Sequence, residues 1–154
     1  DPIFIGDESP LEWREFLEEL GVGSNVEKRL VERVGILVSL KYEREICRVS
    51  DARHVEESER GKGYDIISRM NDGSPKYIEV KSSKDLRLSH ITLTRNEYTF
   101  ISNNPECCFI YVVENALKDP ELCIVLGKDV IPDSITVYDV NWRKKDMIRW
   151  KPLS

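Results

Sequence analysis

The sequence predicts an α/β fold in which helices pack against a mixed β-sheet. Two capping boxes, each followed by apolar residues at helical spacing, predict helices that begin near residues 24 and 94. Short apolar runs separated by turn residues predict the strands, at 45–50, 63–70, 76–82, 88–93, 107–113, 121–126 and 134–140. This order of helix, four strands, helix and further strands indicates one sheet with helices against it.

The two helices carry clear signals in the sequence. Ser24-Asn25-Val26-Glu27 opens the first, and four apolar residues then recur on one face: Leu30, Val31, Val34 and Val38. Thr94-Arg95-Asn96-Glu97 opens the second, which is expected to end near Asn103. The stretch 51–62 between these helices is charged and unpatterned, so it predicts an exposed loop.

Three segments are expected along the chain. Ser9-Pro10-Leu11-Glu12 is a further capping box, so residues 1–22 are predicted to form a helical lead or linker before a core at 23–130. Residues 131–154 add a strand and an extension whose basic and aromatic side chains either clamp a nucleic acid or pack on the core. The start at Asp1-Pro2 suggests a domain of a longer polypeptide, or a residue left by a tag.

Composition indicates a soluble globular domain in the cytoplasm. The chain has 154 residues, of which 40% are hydrophobic and 33% are charged, without an apolar run long enough for a membrane span and without a signal peptide. Its four cysteines lack zinc-site spacing and are expected to be reduced thiols. A lack of glutamine beside abundant Glu, Lys and Arg is typical of a prokaryotic thermophile.

The net charge of −5 does not exclude a nucleic-acid partner, because it is unevenly distributed. Residues 1–60 carry a net charge of −6, whereas residues 61–154, where the chemistry is predicted, carry +1. Carboxylates that hold a cation also add negative charge to this count without repelling DNA once the metal is bound.

A predicted β-hairpin carries the candidate chemistry. Its strands are 63–70 and 76–82, joined by the turn 71–75. In that register Asp65 lies opposite Lys81 and diagonal to Glu79, so that all three side chains converge on one face. Two carboxylates and the carbonyl of Val80 can hold Mg2+ or Mn2+, while the lysine orients a water or offsets developing charge. The alternative is an ordinary cross-strand ion pair on a solvated face.

These motifs resemble a known group of nucleases. The hairpin residues Gly63-Tyr64-Asp65-Ile66 and Ile78-Glu79-Val80-Lys81-Ser82-Ser83 resemble the PD-(D/E)XK nuclease superfamily. With Leu93-Thr94-Arg95-Asn96-Glu97 and Tyr111-Val112-Val113 they are similar to the C-terminal domain of the NO VEIN family, over about residues 23–127. Tyr64 replaces the proline that names the motif, but this proline varies widely in the superfamily.

The resemblance implies a restriction-endonuclease-like fold with an αβββαβ core and DNA cleavage. It implies that Asp65 and Glu79 are metal ligands and that Lys81 is the catalytic lysine. Related nucleases also place a glutamate on the first helix that reaches the metal water, which makes Glu27 a candidate, although a capping role explains it equally well.

Nucleic-acid contacts are expected beside the hairpin. Ser82, Lys84, Arg87 and Arg95 border the predicted site and are candidates to hold the DNA backbone, although exposed basic residues are usually only solvated. Thr94 and Glu97 are better explained as helix caps.

The sequence therefore predicts a metal-dependent DNA endonuclease that serves as one module of a larger defence or DNA-processing protein. Its expected partners are DNA and the other domains of that longer chain, and no membrane. Two alternatives stay open: a catalytically inactive domain that docks nucleic acid or protein, and a junction resolvase acting as a homodimer.

Overall fold

The computed structural model describes residues 24–130 and 138–152 and confirms the predicted α/β class. Helix α1 spans Ser24–Lys41 and continues as one turn of π-helix, Tyr42–Ile46, and helix α2 spans Arg95–Asn103. The strands are β1 Arg53–His54, β2 Ile66–Arg69, β3 Pro75–Ser82, β4 Ile91–Leu93, β5 Cys108–Glu114, β6 Glu121–Leu126, β7 Tyr138–Val140 and β8 Ile148–Trp150. Single turns of 3-10 helix lie at Glu57–Glu59 and Gly127–Asp129.

Six of these strands form one mixed sheet in the order β1-β2-β3-β5-β6-β8. The central pair, β3 and β5, is parallel, and its neighbours are antiparallel. Strands β4 and β7 form a separate antiparallel pair. A mixed sheet with helices against it is consistent with the expected restriction-endonuclease-like architecture.

The sheet is covered on both faces, which explains why β5 is apolar as far as Val113. Helix α1 buries Leu30, Val31 and Val34 in one core with Ile78 of β3, as its helical spacing predicts. On the other face Ile101 of α2 lies in a second core with residues of β4, β5, β6 and β7. The residues of β3 therefore alternate between two different cores.

The segment after α1 differs from the sequence prediction. The prediction of a strand at 45–50 is wrong, because the helix continues as a turn of π-helix to Ile46 and is followed by a bend. Buried Glu43 bonds Lys76 of β3 at 3.1 Å, and Arg44 bonds the carbonyl oxygen of Ala52 at 2.8 Å, so the helical conformation is anchored on the sheet. The following stretch is not fully exposed either, since it contains β1 and buried Val55.

The C-terminal segment packs on the core. Trp142 is completely buried, with Arg143 stacked over its ring at 4.6 Å, and the ring of Trp150 lies 5.4 Å from that of Tyr42. The tryptophans thus follow the packing alternative rather than the nucleic-acid clamp. Strand β8 of this segment was not predicted from the sequence. The helix predicted near residues 9–21 and most of the strand predicted at 134–140 lie outside the described residues.

The cysteines and the helices bear on two further expectations. All four cysteines are free, as their spacing predicts. None of the helices in the described residues has the length and apolar character that crossing a bilayer requires.

Candidate active site

The register of the β2–β3 hairpin differs by two residues from the prediction. Arg69 pairs with Pro75, so the turn is 70–74. Asp65, which precedes β2, bonds Ile78 and Val80 on either side of Glu79 and does not lie opposite Lys81. The turn closes early because Met70 donates its amide to the Ser74 carbonyl and Asp72 accepts the amide of Ser74 at 2.9 Å. A shift of two residues leaves every side chain on its predicted face, whereas a shift of one would exchange the faces.

Asp65, the residue before β2, is fixed by three hydrogen bonds. Its Oδ2 accepts the amide of Val80 at 2.8 Å, its own amide donates to the Ile78 carbonyl at 2.8 Å, and its carbonyl accepts the amide of Val55 at 2.9 Å. The carboxyl group is therefore held against β3 by backbone contacts, next to the position of Glu79.

Glu79 and Lys81 share a face of β3, as predicted. Lys81 Nζ lies 3.6 Å from Glu79 Oε1. The neighbouring residue of β3, Ile78, points to the other face and packs in the core with α1. Glu79 is only 4% exposed. Burial and the nearby charge of Asp65 raise the pKa of Glu79 well above its ordinary value, against the opposing effect of Lys81.

Glu97 joins this cluster from the first turn of α2. Its Oε1 accepts the amide of Thr94 at 2.8 Å, which completes the predicted capping box, and it also accepts Lys81 Nζ at 2.9 Å. Burial tends to raise the pKa of Glu97, but hydrogen bonds from Glu79, the Thr94 amide and Lys81 outweigh burial and lower it. Burial likewise tends to lower the pKa of Lys81, but Glu79 and Glu97 reverse the effect and raise it. The sequence predicted the cap and missed this second role.

Asp65, Glu79 and Lys81 line a cleft of about 700 Å3 between α1, the loop around β1, and the hairpin. The hairpin contributes Asp65, Glu79, Val80, Lys81 and Ser82. Helix α1 contributes Arg29, Glu32, Arg33 and Ile36, and the loop contributes His54, Val55 and Arg60. Asp65, Glu79 and Lys81, together with Val80 and Ser82, therefore lie around one cleft.

The basic residues that line the cleft were not the ones predicted. Lys84 is paired with Glu27 at 2.9 Å, Arg87 lines a second cavity of about 270 Å3, and Arg95 is an exposed residue at the start of α2. None of these three is among the described residues that line the cleft. Their assignment to nucleic-acid binding stays a prediction.

Arg29, Arg33, Arg60 and His54 are cleft residues that the sequence analysis did not select. The spacing of Arg29 and Arg33, four residues apart, could have pointed to one helix face. His54 and Arg60 offered no local signal, since their loop has no pattern. Burial lowers the pKa of His54, and Arg60 and Arg33 add to this effect while Asp65 opposes it.

Glu27 is placed differently from the other acidic candidates. It forms the ion pair with Lys84 and is not among the described cleft residues, where Glu32 is the acidic side chain that α1 contributes. A role for Glu27 at a metal water stays a prediction.

A second group of side chains could hold a metal ion. Ligand atoms of Glu114, Glu121 and Cys123 lie within 4.8 Å of one another, the one such group found among the described residues. Arg143 forms an ion pair with Glu114 at 2.6 Å. Burial raises the pKa of Cys123 to about 11, which keeps the thiol protonated. The geometry identifies no particular metal.

Comparisons with known proteins support one assignment. No curated protein and no solved structure gives a significant match to the chain. The family model described as Protein NO VEIN, C-terminal, matches residues 31–125, a range that contains α1 from its second turn, the β2–β3 hairpin, α2, β5 and most of β6. Because this match covers more than half of the 154 residues, the chain belongs to the NO VEIN C-terminal domain family.

Proposed function

We propose that this chain is a metal-dependent nuclease of the PD-(D/E)XK type that hydrolyses phosphodiester bonds in DNA. The observation that carries the proposal is the convergence of Asp65, Glu79 and Lys81 on one cleft. Two carboxylates and an ammonium group on adjacent strands meet the two needs of this reaction, which are a bound cation and a positioned positive charge.

The donor atoms suit a hard divalent cation such as Mg2+ or Mn2+. Asp65 and Glu79 offer carboxylate oxygens, and Val80, the residue after Glu79 in β3, offers its carbonyl oxygen. The hydrogen bond from the Val80 amide fixes the carboxyl group of Asp65 at 2.8 Å, which reduces the cost of organising the site. A cation bound there would polarise a phosphate oxygen and make an attacking water more acidic.

Lys81 supplies positive charge that belongs to the protein itself. Its ammonium group is held by Glu97 and Glu79, at 2.9 and 3.6 Å, at the border of the cleft. From this position it can donate a hydrogen bond to an oxygen of the scissile phosphate or to the attacking water. Ser82 also lines the cleft, and its hydroxyl can donate to a phosphate oxygen.

The proposed reaction needs no reactant besides water. A water oxygen forms a bond to phosphorus, and the bond between phosphorus and the leaving sugar oxygen breaks. The attacking water loses a proton to solvent, and the leaving oxygen gains one from solvent. Asp65 and Glu79 would hold the cation, whose positive charge favours the ionised form of Glu79 against its burial, and the raised pKa of Lys81 keeps its ammonium group protonated.

The test is cleavage of supercoiled, linear, single-stranded and branched DNA with Mg2+ or Mn2+. Asp65→Asn keeps an oxygen for the Val80 amide and Lys81→Met keeps the aliphatic chain, so both variants should fold. Each should cleave at least about 100-fold more slowly than wild type. The exposed Glu57→Gln is a control and should cleave normally.

Two results would reject the proposal. Equal nicking by wild type and Lys81→Met would show that Lys81 has no catalytic role. A wild-type protein that cleaves none of these substrates with either metal would instead favour a docking domain without turnover.

A further inference from the structure

We infer that Arg29, Arg33 and Arg60 form an arginine wall that holds successive phosphates of one nucleic-acid strand across the cleft from β3. This inference deepens the proposed function and rests on it, because a cation at Asp65 and Glu79 supplies part of the positive charge. It assigns the substrate contact to side chains other than those the sequence suggested.

The spacing of two of these arginines fits a phosphodiester backbone. Arg29 and Arg33 lie one turn apart on α1, with about 5–6 Å between their Cβ atoms. This separation is comparable to that of neighbouring phosphates in one strand, and a guanidinium group can donate two parallel hydrogen bonds to one phosphate. A strand that follows the axis of α1 can therefore meet one arginine per phosphate.

Arg60 completes the wall from a loop that the fold anchors. Arg53 of this loop pairs with Glu59 at 2.8 Å, and β1 pairs with β2 through His54 and Ile66. The side chain of Asn96 in α2 donates to the Gly61 carbonyl at 3.3 Å. Contacts on both sides of Arg60 thus hold its backbone beside the hairpin.

The charges of the cleft favour a polyanion once a divalent cation is present. Its lining has four basic side chains, the arginine wall and Lys81, against three acidic ones, Glu32, Asp65 and Glu79. A divalent cation offsets two of the carboxylates, so the cleft becomes clearly positive within a chain of net charge −5.

The contacts predict little preference for base sequence. Guanidinium groups recognise phosphates, which carry no sequence information directly. The remaining lining includes the apolar side chains of Ile36 and Val55, which can contact a sugar or base edge without reading it by hydrogen bonds. Oligonucleotides of different sequence should therefore bind similarly.

The test measures binding of fluorescent DNA and RNA oligonucleotides by anisotropy, with Ca2+ in place of Mg2+ to prevent turnover. The variant is Arg29→Glu with Arg60→Glu, since both side chains are exposed and their replacement should not impair folding. Its control is Lys28→Glu with Lys62→Glu, which changes the net charge equally at exposed neighbours that do not line the cleft.

The arginine variant should bind at least about tenfold more weakly than wild type, and the control close to wild type. The slope of log affinity against log salt should become shallower by about 1.4, because each phosphate of a single strand that a basic side chain neutralises contributes about 0.7. Arg33→Gln should weaken binding further. Equal weakening in both double variants would overturn the inference.

Cleavage measured in parallel with Mn2+ separates this inference from the proposed function. Binding through the arginine wall without hydrolysis would reject the nuclease and keep the wall. Hydrolysis by wild type, with equal binding by the two double variants, would reject the wall and keep the nuclease.

Discussion

Lys81 Nζ lies 2.9 Å from Glu97 Oε1, and this contact joins the β2–β3 hairpin to the first turn of α2. The same carboxylate oxygen accepts the Thr94 amide, so the helix cap and the lysine share one acceptor. The position of the ammonium group is therefore set by the start of a helix about sixteen residues further along the chain. In the proposed reaction Glu97 would act through Lys81 as a positioning residue, since it is not among the described cleft residues.

Replacing Glu97 should separate its two roles. Glu97→Gln keeps an oxygen for the Thr94 amide but removes the negative charge beside Lys81, so cleavage should fall by about tenfold with little change in stability. Glu97→Ala should also lower the free energy of unfolding by about 1 kcal/mol, because the Thr94 amide loses its acceptor in the capping box. Cleavage rates and urea unfolding check this, and full activity of Glu97→Gln would contradict the positioning role.

A divalent cation should stabilise the fold through Asp65 and Glu79. Mn2+ at about 100 times its dissociation constant should raise the free energy of unfolding by about 2.7 kcal/mol, because it binds the folded state preferentially. Asp65→Asn should abolish this stabilisation in thermal unfolding, whereas Glu121→Gln should keep it. The reverse result would place the metal at Glu114, Glu121 and Cys123 and not in the cleft.

The stability of the protein should depend on pH through His54. Because burial lowers its pKa in the folded state, the unfolded chain binds a proton first as pH falls below the ordinary value of 6.5. Stability is therefore retained above about pH 6.5 and lost as pH falls through the lowered folded pKa. Urea unfolding at pH 7.5 and 5.5 should show a larger decrease in stability for wild type than for His54→Asn. Identical decreases would show that His54 does not titrate in this way.

Removing one partner of the buried pair Lys76–Glu43 should lower the free energy of unfolding more than replacing both partners. Lys76 Nζ lies 3.1 Å from Glu43 Oε2 and donates to the hydroxyl of Tyr111, which also donates to Glu43. Lys76→Ala should lower the free energy of unfolding by about 3–5 kcal/mol, because a buried carboxylate is left without its cation. The double variant Glu43→Gln with Lys76→Met should be destabilised less than half as much. Urea unfolding measures both, and equal destabilisation would refute the explanation.

Gly35 should tolerate no side chain, although it lies within a helix. A Cβ there would lie 2.7 Å from the Cβ of Ser82, where α1 crosses the end of β3. Alanine usually stabilises a helix interior relative to glycine by about 0.5–1 kcal/mol. Here Gly35→Ala should instead destabilise by about 1–3 kcal/mol and move α1 away from the cleft. Thermal unfolding and oligonucleotide binding check the two effects, and a more stable variant would contradict this close approach.

The shared face of Glu79 and Lys81 was predictable from sequence, but the register of the hairpin was not. Strand periodicity puts Glu79 and Lys81 on one face whatever the turn does, and an even shift of register preserves that face. The pairing partner of Asp65 depends on where the turn closes, which the side chain of Asp72 decides. Glu97 was visible only as a cap, because its contact with Lys81 requires α2 to lie beside β3.

The sequence by itself determined the α/β class, α1 and α2, most of the strands, and the two carboxylates and lysine of the candidate site. These features arise from local periodicity, capping and turn residues, which act within a few positions of the chain. The tertiary structure decided which basic residues surround the cleft. Lys84 is close to Lys81 in sequence but pairs with Glu27, whereas Arg29 and Arg60 reach the cleft from distant segments. Packing of α1 against β3 brings such residues together, and no local pattern records it.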